Sequence, residues 1–264
     1  LELRDEFRQF AMKLDITDLT FIPVSALHGD NVVDRSPNTP WYDGPSLLHH
    51  LEEVHIASDR NLIDPRFPVQ YVIRPQSDDF HDYRGFAGTI AGGFFREGDD
   101  VMVLPSGFTS KVKSIDTLDG SIDEAFAPMS ITLRLEDEID ISRGDMICRP
   151  HNHPTTSQDI DATVCWMNEA AALAPGRKYV LKHTTRTTKI IVKDLAYRLD
   201  INTLHRDEEA TDLALNEIGR ITFRTQQPLF FDEYRRNRET GSFILVDDVT
   251  NATVAAGMIN GVAD

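Results

Sequence analysis

From Pro68 to the last residues the chain is written in short β-prone runs broken by Gly, Pro and Asp, and helical periodicity is missing there. Short strands between turn residues cannot bury themselves alone, and they find cover by closing their sheets into barrels. Candidate strands cover residues 69–73, 85–90, 100–104, 109–115, 130–135 and 145–148, with Pro105-Ser106-Gly107 as a hairpin turn. A second set covers residues 159–166, 178–184, 187–195, 217–225, 242–247 and 253–259. Between them Arg149-Pro150-His151-Asn152-His153-Pro154-Thr155 is short, polar and bracketed by prolines, and it reads as an exposed linker. The sequence shows neither a tandem repeat nor a low-complexity tract, so two separate β modules are expected.

The opening residues have a different texture. Leu3, Phe7, Phe10, Ala11 and Leu14 recur at helical spacing, and Leu19-Thr20-Phe21-Ile22-Pro23-Val24 is a short apolar run of buried-strand type. A polar stretch then leads to a second helix, capped by Ser46, with Leu47, Leu48, Leu51 and Val54 as its apolar stripe. A buried parallel-type strand needs neighbours on both sides. The first ~60 residues are therefore expected to be the end of a larger doubly wound α/β domain. The division follows as residues 1–62, a β-barrel over 67–150 and a second over 156–264, a plausible partition for 264 residues.

Composition removes several functions. Lys and Arg total 27 against 43 Asp and Glu, a net charge of −16, and this field repels phosphate backbones, so no nucleic-acid partner is expected. No run approaches the ~20 apolar residues of a membrane-crossing helix, and no membrane partner is expected. Two cysteines, Cys148 and Cys165, and no signal-peptide pattern give a cytoplasmic expectation.

Several clusters invite a chemical reading beside a plainer one. Cys148, His151 and His153 lie close in sequence, yet a zinc site wants paired spacings and a fourth ligand, and only the distant Cys165 is at hand, so no metal site is expected. Arg235-Arg236-Asn237-Arg238 is read as a solvated loop rather than an anion contact. Asp78-Asp79-Phe80-His81-Asp82 is read as a surface loop rather than an acid–base group. His183-Thr184-Thr185-Arg186-Thr187-Thr188-Lys189 is read as a turn, with partner contact as the lesser alternative.

The segment Phe21-Ile22-Pro23-Val24-Ser25-Ala26-Leu27-His28-Gly29-Asp30-Asn31-Val32 resembles the last strand and guanine loop of translation-factor-type GTPases. Within that superfamily the chain is similar throughout to the large, GTPase subunit of bacterial sulfate adenylyltransferase. The resemblance is carried by Trp41-Tyr42-Asp43-Gly44-Pro45-Ser46-Leu47-Leu48, Tyr83-Arg84-Gly85-Phe86-Ala87-Gly88-Thr89-Ile90-Ala91-Gly92-Gly93 and Lys182-His183-Thr184-Thr185-Arg186-Thr187-Thr188-Lys189. Phe67-Pro68-Val69-Gln70-Tyr71-Val72-Ile73-Arg74-Pro75, Asn216-Glu217-Ile218-Gly219-Arg220 and Gly241-Ser242-Phe243-Ile244-Leu245-Val246-Asp247 add to it.

The resemblance implies a mixed fold: the C-terminal remnant of a P-loop α/β GTPase domain followed by two antiparallel β-barrels like elongation-factor domains II and III. It implies a nucleotide-binding loop at Ser25, Ala26 and Leu27, whose backbone N–H groups meet the guanine O6. It implies GTP and Mg²⁺ in the intact protein, and a smaller adenylyltransferase subunit as partner. GTP hydrolysis would be coupled to the formation of adenosine 5′-phosphosulfate and pyrophosphate from ATP and sulfate. The sequence has neither Gly-x4-Gly-Lys-Ser/Thr nor Asn-Lys-x-Asp, so no catalytic residue is assigned, and this chain alone is expected neither to bind nor to hydrolyse GTP. The alternatives are an elongation-factor fragment that grips aminoacyl-tRNA, which the acidic charge disfavours, and a non-catalytic two-barrel scaffold.

Overall fold

The computed structural model describes residues 2–14, 16, 18–54, 60–75 and 83–263. It divides into two compact units, Leu1–Ser58 and Asp59–Asp264. The Asp78-Asp79-Phe80-His81-Asp82 cluster lies outside the described residues.

In the first unit, helix α1 spans Glu2–Met12 and helix α2 spans Leu47–Glu53. Ser46 caps α2 as expected, its Oγ accepting from His49 N at 3.5 Å and donating to Val33 O at 2.6 Å. The run at residues 19–24 has no regular structure and forms no ladder, in contrast to the expected buried strand. Extended backbone becomes a strand only by exchanging hydrogen bonds with a neighbour, and no described segment lies alongside to do so. The helical stripes are likewise less buried than expected: Ala11 is the only buried residue of α1, Leu3 is 81% exposed and Leu51 is 61% exposed.

The second unit is all β, and its strands follow the period-two burial that one-sided packing demands. β1 (Arg66–Ile73), β2 (Gly85–Thr89), β3 (Phe94–Arg96), β4 (Asp100–Leu104), β5 (Thr109–Thr117), β6 (Gly120–Ile122), β7 (Glu124–Phe126), β8 (Ser130–Leu135) and β9 (Met146–Cys148) build its first half. The order β4-β9-β1-β2-β8-β5 returns from β5 to β4, which closes a barrel of antiparallel strands, while β3 and β7 pair separately. Closure leaves these strands no bare edge. Phe67, Val69, Phe86, Phe95, Val103, Ile115, Leu133 and Ile147 fill the interior.

The second half holds β10 (Thr155–Trp166), β11 (Lys178–His183), β12 (Arg186–Leu199), β13 (Arg206–Asp207), β14 (Ile218–Phe231), β15 (Ser242–Val246) and β16 (Thr253–Val262). The order β11-β15-β16-β10-β14-β12 closes through β12 and β11. Trp166 packs edge-on against Tyr179 at 5.5 Å between centroids, and Phe223 against Phe243 at 5.3 Å, among Leu181, Val192, Ile221 and Leu245. The indole N–H of Trp166 donates to Ala171 O at 2.8 Å, so this large core residue carries no unmet polar group.

Candidate functional site

Residues 25–31 form a closed loop in the first unit. Ser25 N donates to Asp30 O at 3.2 Å, Gly29 N to Ser25 O at 2.8 Å, and His28 N to Ser25 Oγ at 3.3 Å. Gly29 sits at φ 75°, a left-handed conformation that glycine adopts at no steric cost. The three residues expected to read guanine therefore lie together at the tip, with Ala26 exposed and Leu27 88% exposed. Among the described residues nothing accepts a hydrogen bond from the backbone N–H of Ala26 or Leu27. Two donors left without an acceptor among the described residues, on a braced and exposed loop, have the chemistry to take a carbonyl oxygen.

Beneath the tip is a polar knot that sequence reasoning passed over. Asn31 is buried, with φ 56°. Its Nδ2 donates to Pro23 O and to Thr39 Oγ1, both at 2.8 Å, and its Oδ1 accepts from Ser36 N at 2.8 Å. Asp30 Oδ1 accepts from Ser36 Oγ at 2.5 Å and from Asn38 Nδ2 at 2.9 Å, and these two bonds hold its carboxyl below the usual carboxylate range. The recurrence of Asp30, Asn31, Ser36, Asn38 and Thr39 within ten residues is the signal that could have found it.

A second polar centre lies in the other unit, where the two barrels meet. Arg66 is fully buried and donates from Nε and Nη2 to the two carboxylate oxygens of Asp232 at 2.8 and 2.9 Å. Its Nη1 donates to Asn152 O at 2.7 Å and to Pro65 O at 2.9 Å. Thr240 Oγ1 donates to Asp232 at 2.8 Å, and the buried His183 donates through Nε2 to Thr240 O at 2.7 Å. Burial and the nearby Arg186 push the His183 imidazole below its ordinary pKa, and the carbonyl of Thr240 and the carboxylate of Asp232 oppose them.

Beside this network Asp64 accepts both Nε and Nη2 of Arg236 at 2.8 Å, together with Asn152 Nδ2 at 2.8 Å and Asn61 Nδ2 at 2.6 Å. The Arg236 guanidinium holds the Asp64 carboxyl well below the usual range, while burial opposes it. Three expectations change here. Arg236 is not simply solvated, because its fork closes on a buried carboxylate. Asn237 is buried and donates to Ala91 O at 3.1 Å. Asn152 is no loose linker residue, since it bonds both Arg66 and Asp64 and Pro154 beyond it is buried. The residues 183–189 do turn, at Thr184 and Thr185, and Arg186 reaches Gly144 O of the first barrel at 2.8 Å with its guanidinium 4.7 Å from the Phe230 centroid.

Gly92 and Gly93 allow this approach. A Cβ on Gly92 would stand 2.7 Å from Asp64 O, and one on Gly93 (φ 61°) 2.5 Å from Pro65 N. Gly93→Ala is expected to cost more than about 1 kcal/mol in urea unfolding, because backbone cannot yield as a side chain does. A loss within error of zero would show that the contact relaxes freely.

Burial pushes the Cys148 thiol up to about 12, and its S–H points to Met102 O at 3.7 Å. Among the described residues no three His, Cys, Asp or Glu side chains converge as a metal site. No helix among them is long and apolar enough to cross a membrane.

Comparison with known proteins agrees with this architecture. Residues 159–260 match the family described as GTP-eEF1A C-terminal domain-like. A bifunctional enzyme CysN/CysC of Mycobacterium tuberculosis is 61% identical over 97% of this chain and 42% of its own length. Sulfate adenylyltransferase subunit 1 of Bacteroides fragilis is 50% identical over 98% of this chain and 53% of its own length. The chain thus spans about half, or less, of these curated relatives. A crystal structure of sup35 complexed with GDP superposes with a TM-score of 0.70 at 24% identity, covering 94% of this chain and 60% of that one. A likeness at that identity speaks for the fold alone, while the identities above it speak for descent. Over the segment it spans, the chain is homologous to sulfate adenylyltransferase subunit 1 and to the bifunctional CysN/CysC enzyme, and it carries two β-barrels of elongation-factor type.

Proposed function

We propose that this chain is part of the regulatory GTPase subunit of a sulfate adenylyltransferase, in which GTP hydrolysis is coupled to the conversion of ATP and sulfate into adenosine 5′-phosphosulfate and pyrophosphate. The observation that carries the reading is identity of 50% to a sulfate adenylyltransferase subunit 1 and of 61% to a bifunctional enzyme CysN/CysC, across nearly the whole chain. In this reading residues 1–62 are the end of the nucleotide-binding domain, and residues 67–150 and 156–264 are the two barrels behind it. The uncovered apolar faces of α1 and α2 support it, because such stripes are made to be packed against further elements.

The residues present suit one end of GTP. The N–H groups of Ala26 and Leu27 would hold the guanine O6. The phosphates and Mg²⁺ would be held by residues outside this sequence, which contains no phosphate-cradling motif. Bound GTP would supply a γ-phosphate whose presence or loss selects between two arrangements of the subunit, and a smaller partner subunit would carry out adenylyl transfer.

The test is reconstitution. The full-length protein mixed with a small adenylyltransferase subunit is expected to make adenosine 5′-phosphosulfate several-fold faster with GTP than with its non-hydrolysable analogue, and residues 1–264 alone are expected to show no GTP binding by calorimetry. A rate indifferent to GTP, or tight GTP binding by residues 1–264 alone, would overturn the reading.

A further inference from the structure

We infer that Asn31 is the residue that positions the Ser25–Ala26–Leu27 tip for the O6 edge of guanine, although it touches no nucleotide itself. The inference rests on the guanine-loop reading above and adds to it a mechanism for how so exposed a tip holds its shape.

The tip has no packing of its own, because Ala26, Leu27, His28 and Gly29 are all exposed. Its shape must therefore come from the hydrogen bonds that close residues 25–30 and from the two chain ends on which that closed loop is mounted. One end is Pro23, whose carbonyl accepts from Asn31 Nδ2, and the other is Asn31 itself. A single carboxamide thus ties the chain entering the loop to the chain leaving it. The same carboxamide bonds Thr39 Oγ1 and Ser36 N, which fixes the loop to the 36–39 turn. The backbone carbonyl of Asn31 accepts from Leu47 N at 2.8 Å, which fixes it to the start of α2.

Three of the four bonds converge on one buried carboxamide, so they act as one unit and free rotation of the side chain is excluded. Asparagine suits the place twice over. It has a donor and an acceptor on one planar group, and it tolerates the left-handed backbone found here. An N–H donor contributes to recognition only when aimed at its acceptor, and hydrogen bonds weaken steeply as they bend.

The experiment uses the full-length protein and two ligands, GDP and the diphosphate of 2-aminopurine riboside, which lacks O6 and with it the N1–H. The loss of N1–H is common to wild-type and variant proteins, so the change in preference between them reports on O6. Wild-type protein is expected to prefer GDP. Asn31→Gly removes the carboxamide while keeping the backbone free to hold φ 56°. It is expected to weaken GDP by about tenfold or more and to leave the O6-lacking ligand within about twofold. Thr39→Val removes one acceptor of the same amide, and it is expected to give the same selective loss at smaller size should Asn31→Gly not fold.

Equal weakening of both ligands would mean that Asn31 merely supports the fold, and unchanged GDP affinity would mean that the tip holds its shape without it. Either outcome overturns the inference. If wild-type protein binds the two ligands equally, the guanine-loop reading itself fails and takes the inference with it.

Discussion

Replacing Arg66 by Leu is expected to cost about 3–5 kcal/mol of the unfolding free energy of the two-barrel unit, measured in urea at neutral pH. Arg66 and Asp232 are both buried, and their carboxylate–guanidinium contact is bidentate at 2.8 and 2.9 Å. Removal of the cation leaves the Asp232 carboxylate in a place that water does not reach, with Thr240 Oγ1 the one side chain still donating to it among the described residues. The magnitude is that of an orphaned charge rather than of the pair itself, because a buried pair already offsets much of its attraction by desolvation. The double replacement Arg66→Leu with Asp232→Leu is therefore expected to recover a good part of the loss. A single-variant cost below about 1 kcal/mol, or a double variant as unstable as the sum of the singles, would show that the two side chains are not coupled.

Acid is the second sensitive point. The His183 imidazole is held neutral by burial and by Arg186, and its folded-state pKa lies below the ordinary 6.5. As pH falls below 6.5 the unfolded chain takes up a proton that the folded chain refuses, so stability decreases, by up to about 1.4 kcal/mol per pH unit, until the folded pKa is reached. Asp64 acts in the same direction further down. Its carboxyl is depressed by Arg236, so its contribution is complete above the unfolded value of 3.8 and is lost as pH drops through the folded one. Wild-type protein is thus expected to lose stability steadily between pH 6.5 and pH 4.5, at no more than about 1.4 kcal/mol per pH unit from His183, with Asp64 adding its loss only at lower pH. His183→Gln, whose amide can still donate to Thr240 O, is expected to hold nearly level over that window. Parallel pH profiles for the two proteins would remove His183 as the cause.

The barrels were legible because alternation is a local property. The strands at residues 100–104 and 130–135 were placed at their observed ends, each with every second side chain turned inward. β14, one of the two 14-residue strands, was expected to end at Thr225, and Pro228, which cannot donate to a ladder, lies in the part beyond. The fold keeps β14 running to Phe231 by a bulge. Register shifts between Ser157 and Asp159, and the Gln158 side chain donates to the carbonyls of Thr225 and Gln226 at 3.1 and 3.0 Å, groups that the ladder leaves over. β3 and β7, of three residues each, are too short for any period to show.

What the sequence hid was pairing at long range. Arg66 meets Asp232 across 166 residues and Asp64 meets Arg236 across 172, and neither partner advertises the other. A run such as Arg235-Arg236-Asn237-Arg238 in an acidic chain looks like surface for that reason. The glycines at 92 and 93 were the available hint, since two adjacent residues without side chains mark a place where something comes close. At the loop tip the position of residues 25–27 came from family resemblance, whereas Asn31 passed as one polar residue among many.

The seam between the barrels has a mechanical meaning that its composition decides. Two oily faces can slide over one another with little change in energy, since dispersion has no preferred direction. Forked guanidinium groups seated on carboxylates resist such drift, because sliding or turning strains both prongs at once. Joined by Arg66 on Asp232 and Arg236 on Asp64, the barrels have a keyed joint with one seating. A cut through the peptide between His151 and Asn152 should leave the halves locked together, travelling as one particle until the keys are withdrawn.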